Sequence, residues 1–430
     1  MALMLRNAHV IDPQVGLNET CDILIRDGKI VELGQDLEMP KGVERDLGGK
    51  VVVPGLVDIH VHLREPGYEY KEDIASGTRA AAHGGFTGVC PMPNTQPTTD
   101  NAMIVEYVKN QAEKDGKCRV YPSGACTLGL KGETLSEIGD MVAHGAVAFT
   151  DDGRGVQDSG MMRRVMEYAR PFGKVVMSHC QDEALVGKGQ INEGATSTKL
   201  GLQGWPAAGE ELQIQRDIEL SLLTGCPIHI QHISSARGLE MIRRGKADGI
   251  QVTCEVTPHH LFLDETNIGS DYNTYLKVNP PLRTAVDREE LIKGVVDGTI
   301  DCIVTDHAPH AAHEKDREFE QAPFGMTGIE TVLGAILTNL VRPGVISWER
   351  MVELMAVKPR EILRLEPVKL APGSVADLTV IDPDVEWDVT EDFYVSKSKN
   401  CGFTGAHFIG RATDVYVGGY ATMEEGEIVE

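Results

Sequence analysis

The sequence predicts an α/β protein, a (β/α)8 barrel of the TIM type with a small composite β domain formed by both chain ends. Three observations carry this. Eight short apolar segments, each ending in polar or turn residues, recur through the middle of the 430-residue chain. Helix-like stretches lie between most of them, the alternation that builds a parallel barrel. The two ends lack that alternation and carry hairpin signals instead. The expected division is residues 1–52 and 366–430 as the two parts of the β domain, with 53–365 as the barrel.

At the N-terminal end, Cys21–Arg26 and Lys29–Leu33 flank Asp27-Gly28. That dipeptide suits a tight hairpin turn, because such turns need positive φ. The barrel segments follow at 51–62, 86–92, 118–126, 146–150, 174–178, 227–231, 250–256 and 301–305. Between them, Ala102–Gln111 reads as a helix with Asp100 as its cap. Glu210–Leu223 reads as another, with Leu212, Ile214, Ile218 and Leu222 as its apolar positions. At the C-terminal end Ala376–Ile381 reads as a strand. Asp414–Val417 followed by Gly418-Gly419 begins a second hairpin.

Composition excludes several classes. Net charge is −24 with no basic block, which argues against a nucleic-acid partner. An anionic small substrate would need locally placed cations. Nine cysteines, an odd number with no C-x-x-C pair, read as buried free thiols in a reducing compartment. There is no signal-peptide pattern and no stretch apolar for long enough to span a membrane. A soluble, cytoplasmic protein is expected.

The chemistry gathers at the strand ends, where such barrels build their sites. Asp58-Ile59-His60-Val61-His62 closes the first apolar segment, and strand alternation turns His60 and His62 the same way. Arg64 follows, placed for a carboxylate fork. Asn94 follows the second segment, and Thr150-Asp151-Asp152-Gly153 ends the fourth. His179, His232 and Asp306 end the fifth, sixth and eighth. Four of fourteen histidines therefore fall in one ring, joined by two carboxylate positions. A strand with satisfied histidines explains H-x-H alone but not the set.

Imidazoles and carboxylates suit Zn²⁺, with one or two ions per chain. His60, His62 and Asp306 would hold one, His179 and His232 a second, with Asp152 bridging. Two zinc ions with both aspartates and a hydroxide leave a charge of about +1, favourable to an anionic transition state. Bound water would titrate near pH 7 and attack an amide or ureide carbon. Asp306 would carry the proton to the departing nitrogen; a purely ligating Asp306 is the alternative.

The motif 58–67 (DIHVHLREPG) and Thr305-Asp306-His307-Ala308-Pro309-His310 resemble the two signatures of dihydroorotase, in the amidohydrolase superfamily. Asn94, Phe149–Gly153, His179, His229–His232 and Val278–Arg283 fall in matching order, so the resemblance covers nearly the whole chain. It implies reversible cyclisation of N-carbamoyl-L-aspartate to L-dihydroorotate, in pyrimidine synthesis. Arg64, Asn94 and His310 would grip the substrate carboxylate, Asn279 would contact the ring, and Gly328 would offer backbone groups. Many relatives bridge the metals with a carbamylated lysine. Here Asp152 resembles the bridging aspartate of a subgroup linked with one-metal enzymes and with assembly onto aspartate transcarbamoylase; a homo-oligomer is equally compatible. Asp151 would support the loop or cap it. His307 either orients Asp306 or faces the core, while His259 and His260 read as structural. Residues 310–328 form a long loop, either a lid or a solvated loop. The rival readings are another cyclic amidase (dihydropyrimidinase, hydantoinase or allantoinase) and a non-catalytic scaffold subunit.

Overall fold

The computed structural model describes residues 2–39 and 41–430. Eight strands form the expected barrel: Leu56–Val61, Phe86–Pro91, Arg119–Val120, Ala148–Phe149, Val175–Ser178, Ile228–Ile230, Val252–Val256 and Cys302–Ile303. Parallel ladders join the first three and the last five. The bridges Gly124↔Phe149 and Val61↔His307 close the ring between the two sets. The inner layers are apolar, with Val57, Ile59, Cys90, Ala148, Met177 and Val304 packed together.

The segment 51–62 is two strands, not one. Val51–Pro54 pairs with Leu378–Ile381 and with His9–Val10, in the sheet of the chain ends. Leu56–Val61 opens the barrel. Gly55 makes the break, and its N–H donates to Asp377 O. A Cβ there would lie 2.2 Å from Thr87 Oγ1, so a side chain could not pass.

The nine-stranded sheet interleaves both ends of the chain, with Ala2–Asp12 and Leu17–Arg26 on one side of Val51–Pro54 and Leu378–Asp388 and His407–Val417 on the other. Its core takes Leu5, Ile23 and Ile25 from one end and Leu378, Val380 and Tyr416 from the other. The Asp27-Gly28 turn joins Arg26 to Lys29 with φ of 51° and 79°, as the dipeptide predicts.

Two helix details differ from expectation. The helix Ala102–Asp115 is capped by Asn101, whose side chain accepts from Ile104 N–H; Asp100 accepts from Gly129 N–H, 2.8 Å. In Ala208–Thr224, Ile214 and Ile218 are buried, but Leu212 and Leu222 are 55% and 62% exposed. The rest of the inward face is polar because it bonds to the barrel rim. Ser178 Oγ donates to Asp217 Oδ2 (2.6 Å), and Ser234 N–H and Oγ donate to Glu210. All nine cysteines are buried and free. Among the described residues no helix is long and apolar enough to cross a membrane.

Candidate active site

Each imidazole at the strand ends is aimed by a specific neighbour. His60 Nδ1–H donates to Glu255 Oε1 (2.5 Å), which leaves Nε2 facing the barrel mouth. Glu255 also faces His229 Nε2 (3.0 Å) and accepts from the His232 backbone N–H (3.1 Å). Burial alone would raise the Glu255 carboxyl, but the His60 and His229 rings hold it at about 2. His62 Nδ1 meets Asn94 Oδ1 (3.0 Å), and its Nε2 lies 3.0 Å from Asp306 Oδ1. His179 Nε2 meets Gln181 Oε1 (3.1 Å), turning Nδ1 inward. An imidazole oriented in this way by its other nitrogen is the usual arrangement of a metal ligand.

The inward atoms converge. Asp152 Oδ1 lies 3.4 Å from both His60 Nε2 and His179 Nδ1, and 3.9 Å from His232 Nε2. Its Oδ2 is 3.6 Å from His62 Nε2. Asp152 thus sits between the His60–His62–Asp306 group and the His179–His232 pair. His60 is shared, since His60, Asp152 and His232 also offer atoms within 4.8 Å of one another. Burial raises the Asp152 carboxyl, but the His60 and His179 rings override this and hold it well below its usual range. Burial, with His179 and His60 nearby, pushes His232 well down, so its ring is neutral. His60 Nε2 and Asp152 Oδ1 are buried without a hydrogen-bond partner. Buried polar atoms are rarely left so. Four imidazoles and two carboxylates around two such atoms fit a divalent cation.

The backbone here is strained. Arg64, His232 and Asp306 have φ of 63°, 30° and 47°, in the left-handed region that costs a non-glycine residue energy. Asp58 fixes the floor by accepting from His60 N–H (3.0 Å) and from Thr305 N–H and Oγ1, which joins the first strand end to the eighth.

A cavity of about 190 Å³ opens above this basin, and Arg64, Asn94, Asn279 and His310 all line it, with Phe324 and Gly325. Arg64 is anchored through Nε–H to Pro309 O (3.1 Å). His310 is pushed far down by burial and by Arg64, so its ring is neutral. Asn94 is tied to the basin, because its Nδ2 donates to Asp152 Oδ2 (3.1 Å) while Oδ1 faces His62. Asn279 Nδ2 donates to Gln181 Oε1 (2.7 Å), and its Oδ1 is buried without a partner.

Gly328 departs from expectation. It does not line the cavity; its N–H faces His307 Nδ1 (3.3 Å) and its carbonyl accepts from Thr331 and Val332. Gly325 occupies the wall instead. Its φ is 121°, and a Cβ would lie 2.7 Å from Ala308 Cβ. His307 faces the interior beside Glu72 (3.5 Å) and does not orient Asp306. His260 bonds Thr257 and the Pro280 carbonyl, and His259 is buried beside it. Asp151 accepts from the Cys126 and Thr127 backbones, supporting the loop.

The 310–328 loop is not simply solvated. Lys277 Nζ donates to the carbonyls of Phe319, Glu320 and Ala322 (2.7, 3.1 and 2.7 Å). Lys315 Nζ donates to those of Thr274 and Pro323 (3.0 and 2.7 Å). Asn400 completes the wall. It accepts from His310 N–H (3.0 Å) and donates to Ala308 O and Gly325 O (both 3.2 Å). Sequence reasoning missed Glu255, Gln181, Asn400 and both lysines. Glu255 alone left a signal, as the one charge inside Val252–Val256.

A family model described as dihydro-orotase-like matches residues 49–238. The chain is 47% identical to a dihydroorotase of Trichlorobacter lovleyi, covering 97% of this chain and 98% of the relative. It is 48% identical to one of Geobacter metallireducens, covering 97% and 99%. The chain belongs to the dihydroorotase family. Among solved structures, an L-hydantoinase (dihydropyrimidinase) of Arthrobacter aurescens is similar at TM-score 0.90 and 28% identity, covering 100% of this chain and 97% of that one. This dihydroorotase-family chain therefore shares the barrel-plus-β-domain architecture of cyclic amidohydrolases, and it is one of them.

Proposed function

We propose that the chain catalyses the reversible cyclisation of N-carbamoyl-L-aspartate to L-dihydroorotate with bound zinc. One observation carries this reading: a basin of imidazoles and carboxylates with two unpartnered buried atoms opens directly into a cavity walled by Arg64 and His310. His60, His62 and Asp306 would hold one ion, and His179 and His232 a second, with Asp152 between. The bound cation supplies an acidified water and a polarised carbonyl.

The other steps belong to this chain's own residues. Arg64 binds the substrate carboxylate: its Nε–H is fixed at Pro309 O and one terminal nitrogen lies 3.3 Å from His310 Nε2, which aims the rest of the guanidinium at an anion. The second Nδ2–H of Asn94 completes that grip, while neutral His310, whose Nε2–H donates to the Phe324 carbonyl (2.8 Å), packs the wall beside Arg64. Asn279 Oδ1 accepts from a ring N–H. In ring opening, an Asp306 carboxylate oxygen takes the proton of the attacking water. It returns that proton to the departing amide nitrogen as the ring C–N bond breaks. Cyclisation runs the same transfers backwards. A cationic wall argues for a carboxylate-bearing substrate over a neutral hydantoin.

The test is dihydroorotate ring opening by the purified chain, after chelation and after zinc is returned. Turnover is expected to vanish and recover. A zinc-loaded chain that opens a neutral hydantoin faster than dihydroorotate overturns the proposal.

A further inference from the structure

Gln181 lies two residues beyond His179, and its side-chain oxygen serves two groups. It is 3.1 Å from His179 Nε2 and 2.7 Å from Asn279 Nδ2. A carbonyl oxygen has two lone pairs, so it can accept from both. We infer that Gln181 is a positioning residue that couples the tautomer of His179 to the orientation of the Asn279 amide. Through it, a cation in the basin makes the cavity present an acceptor, Asn279 Oδ1, to an N–H of the substrate.

His179 Nδ1 faces the basin, 3.4 Å from Asp152 Oδ1 and 2.9 Å from His232 Nε2. A neutral imidazole carries one N–H and one lone pair. When the Nδ1 lone pair faces a cation, the proton is on Nε2, and only an acceptor can oppose it. Gln181 must then present Oε1. The second lone pair of that oxygen selects the NH₂ end of Asn279, so the Asn279 oxygen is turned away from Gln181. That oxygen is buried without a partner, on a residue that lines the cavity.

The reversed chain is equally continuous. With Gln181 turned over, its NH₂ would face His179 Nε2 and Asn279 Oδ1. His179 would then carry its proton on Nδ1, against the other ligands, and the cavity would meet a donor from Asn279. A cation in the basin separates the two arrangements. The cavity is thereby matched to ureide and cyclic amide rings, which offer N–H, and mismatched to analogues with oxygen or a methylated nitrogen there.

This inference rests on the proposed zinc site and substrate, and its test reads metal affinity apart from turnover. Zinc affinity of the full-length chain is measured by competition with a chromogenic chelator for wild type, Gln181→Met, Asn279→Ala and Asn279→Asp. Gln181→Met removes the acceptor and is expected to weaken zinc binding about 10–100-fold, as loss of a ligand-orienting partner does. Asn279→Ala leaves Gln181 free to serve His179, so zinc affinity should stay within about twofold while KM rises. Asn279→Asp sets two acceptors against each other and turns Gln181 over, so it should weaken zinc binding about tenfold although residue 279 is not a ligand. Gln181 is half-buried, and melting curves for all four proteins should overlay within a few degrees.

Equal zinc affinity for Asn279→Ala and Asn279→Asp overturns the coupling, as does unchanged affinity in Gln181→Met. If wild type does not turn over dihydroorotate, the proposed function fails, and the zinc competition still decides this inference.

Discussion

The floor and the wall of the site are built by different means. On the floor, side chains meet other side chains: Asn94 and Gln181 each hold one imidazole by one atom, and Glu255 holds His60 and His229 with its two oxygens. Along the wall, side chains hold backbone groups, Lys315 from within the loop and Lys277 and Asn400 from outside it. Lys277 and Lys315 grip the loop, and Asn400 ties its two ends together. The floor fixes atoms that need sub-ångström placement for catalysis. The wall fixes a surface that needs only to stay shut behind the substrate. Damage to the floor should therefore appear in turnover and metal retention, and damage to the wall in KM and stability.

The strongest test of that division is Asp306→Asn. Without the proton carrier kcat should fall about 10²–10⁴-fold, with an unchanged melting temperature; turnover near wild type refutes the assigned role. Next comes Glu255→Gln beneath His60. Its loss should weaken zinc about 10–100-fold in chelator competition, with KM of the zinc-saturated enzyme little changed. A change confined to KM would place Glu255 with the wall. On the wall itself, Arg64→Ala should raise KM about 10–100-fold, from the ~1.5–3 kcal/mol of a hydrogen bond to a charged group, with a smaller change in kcat. An unchanged KM would put the substrate carboxylate elsewhere. Asn400→Ala leaves two carbonyls and one N–H without partners, and should destabilise by about 1–3 kcal/mol in denaturant melts with a modest rise in KM. A melt like wild type would show that the wall does not depend on it.

The smallest effect concerns pH. Burial lowers Lys315 from its usual range to about 7. The unfolded chain then holds the proton more tightly than the folded one between about pH 7 and the ordinary lysine value near 10.4. The cost of burying the charge is full below that window and disappears across it, so stability from this residue rises with pH. The neutral amine still has two N–H groups for its two carbonyls. Lys315→Met should flatten the rise between pH 7 and 9; an unchanged slope would mean that Lys315 does not set it.

The floor was far more legible in the sequence than the wall. His60 and His62 share a side because alternation along a strand is obligatory, and His179, His232 and Asp306 each follow an apolar run. The partners were hidden because nothing local marks them. Gln181 reads as a surface residue after a histidine, and Asn400 lies 90 residues from His310, to which it bonds. Lys277 looks like an ordinary surface charge until the loop is folded over it, and Lys315 until its own loop closes around it. Leu212 and Leu222 misled for a related reason, since helical spacing marks a stripe without saying which side meets the barrel. Asp100 and Asn101 are both good caps, and only the helix start chooses between them.

The sheet that interleaves the two chain ends also sets an order of events during synthesis. Val51–Pro54 pairs with Leu378–Ile381. At about 5–20 residues per second the ribosome needs on the order of 15–60 s to supply the second partner after the first. Throughout that interval an apolar strand has one edge without its neighbour, which invites pairing with other nascent chains. Slow translation, or a stall anywhere within the barrel, would lengthen that exposure, and chaperone demand during expression should follow the time spent on those central codons.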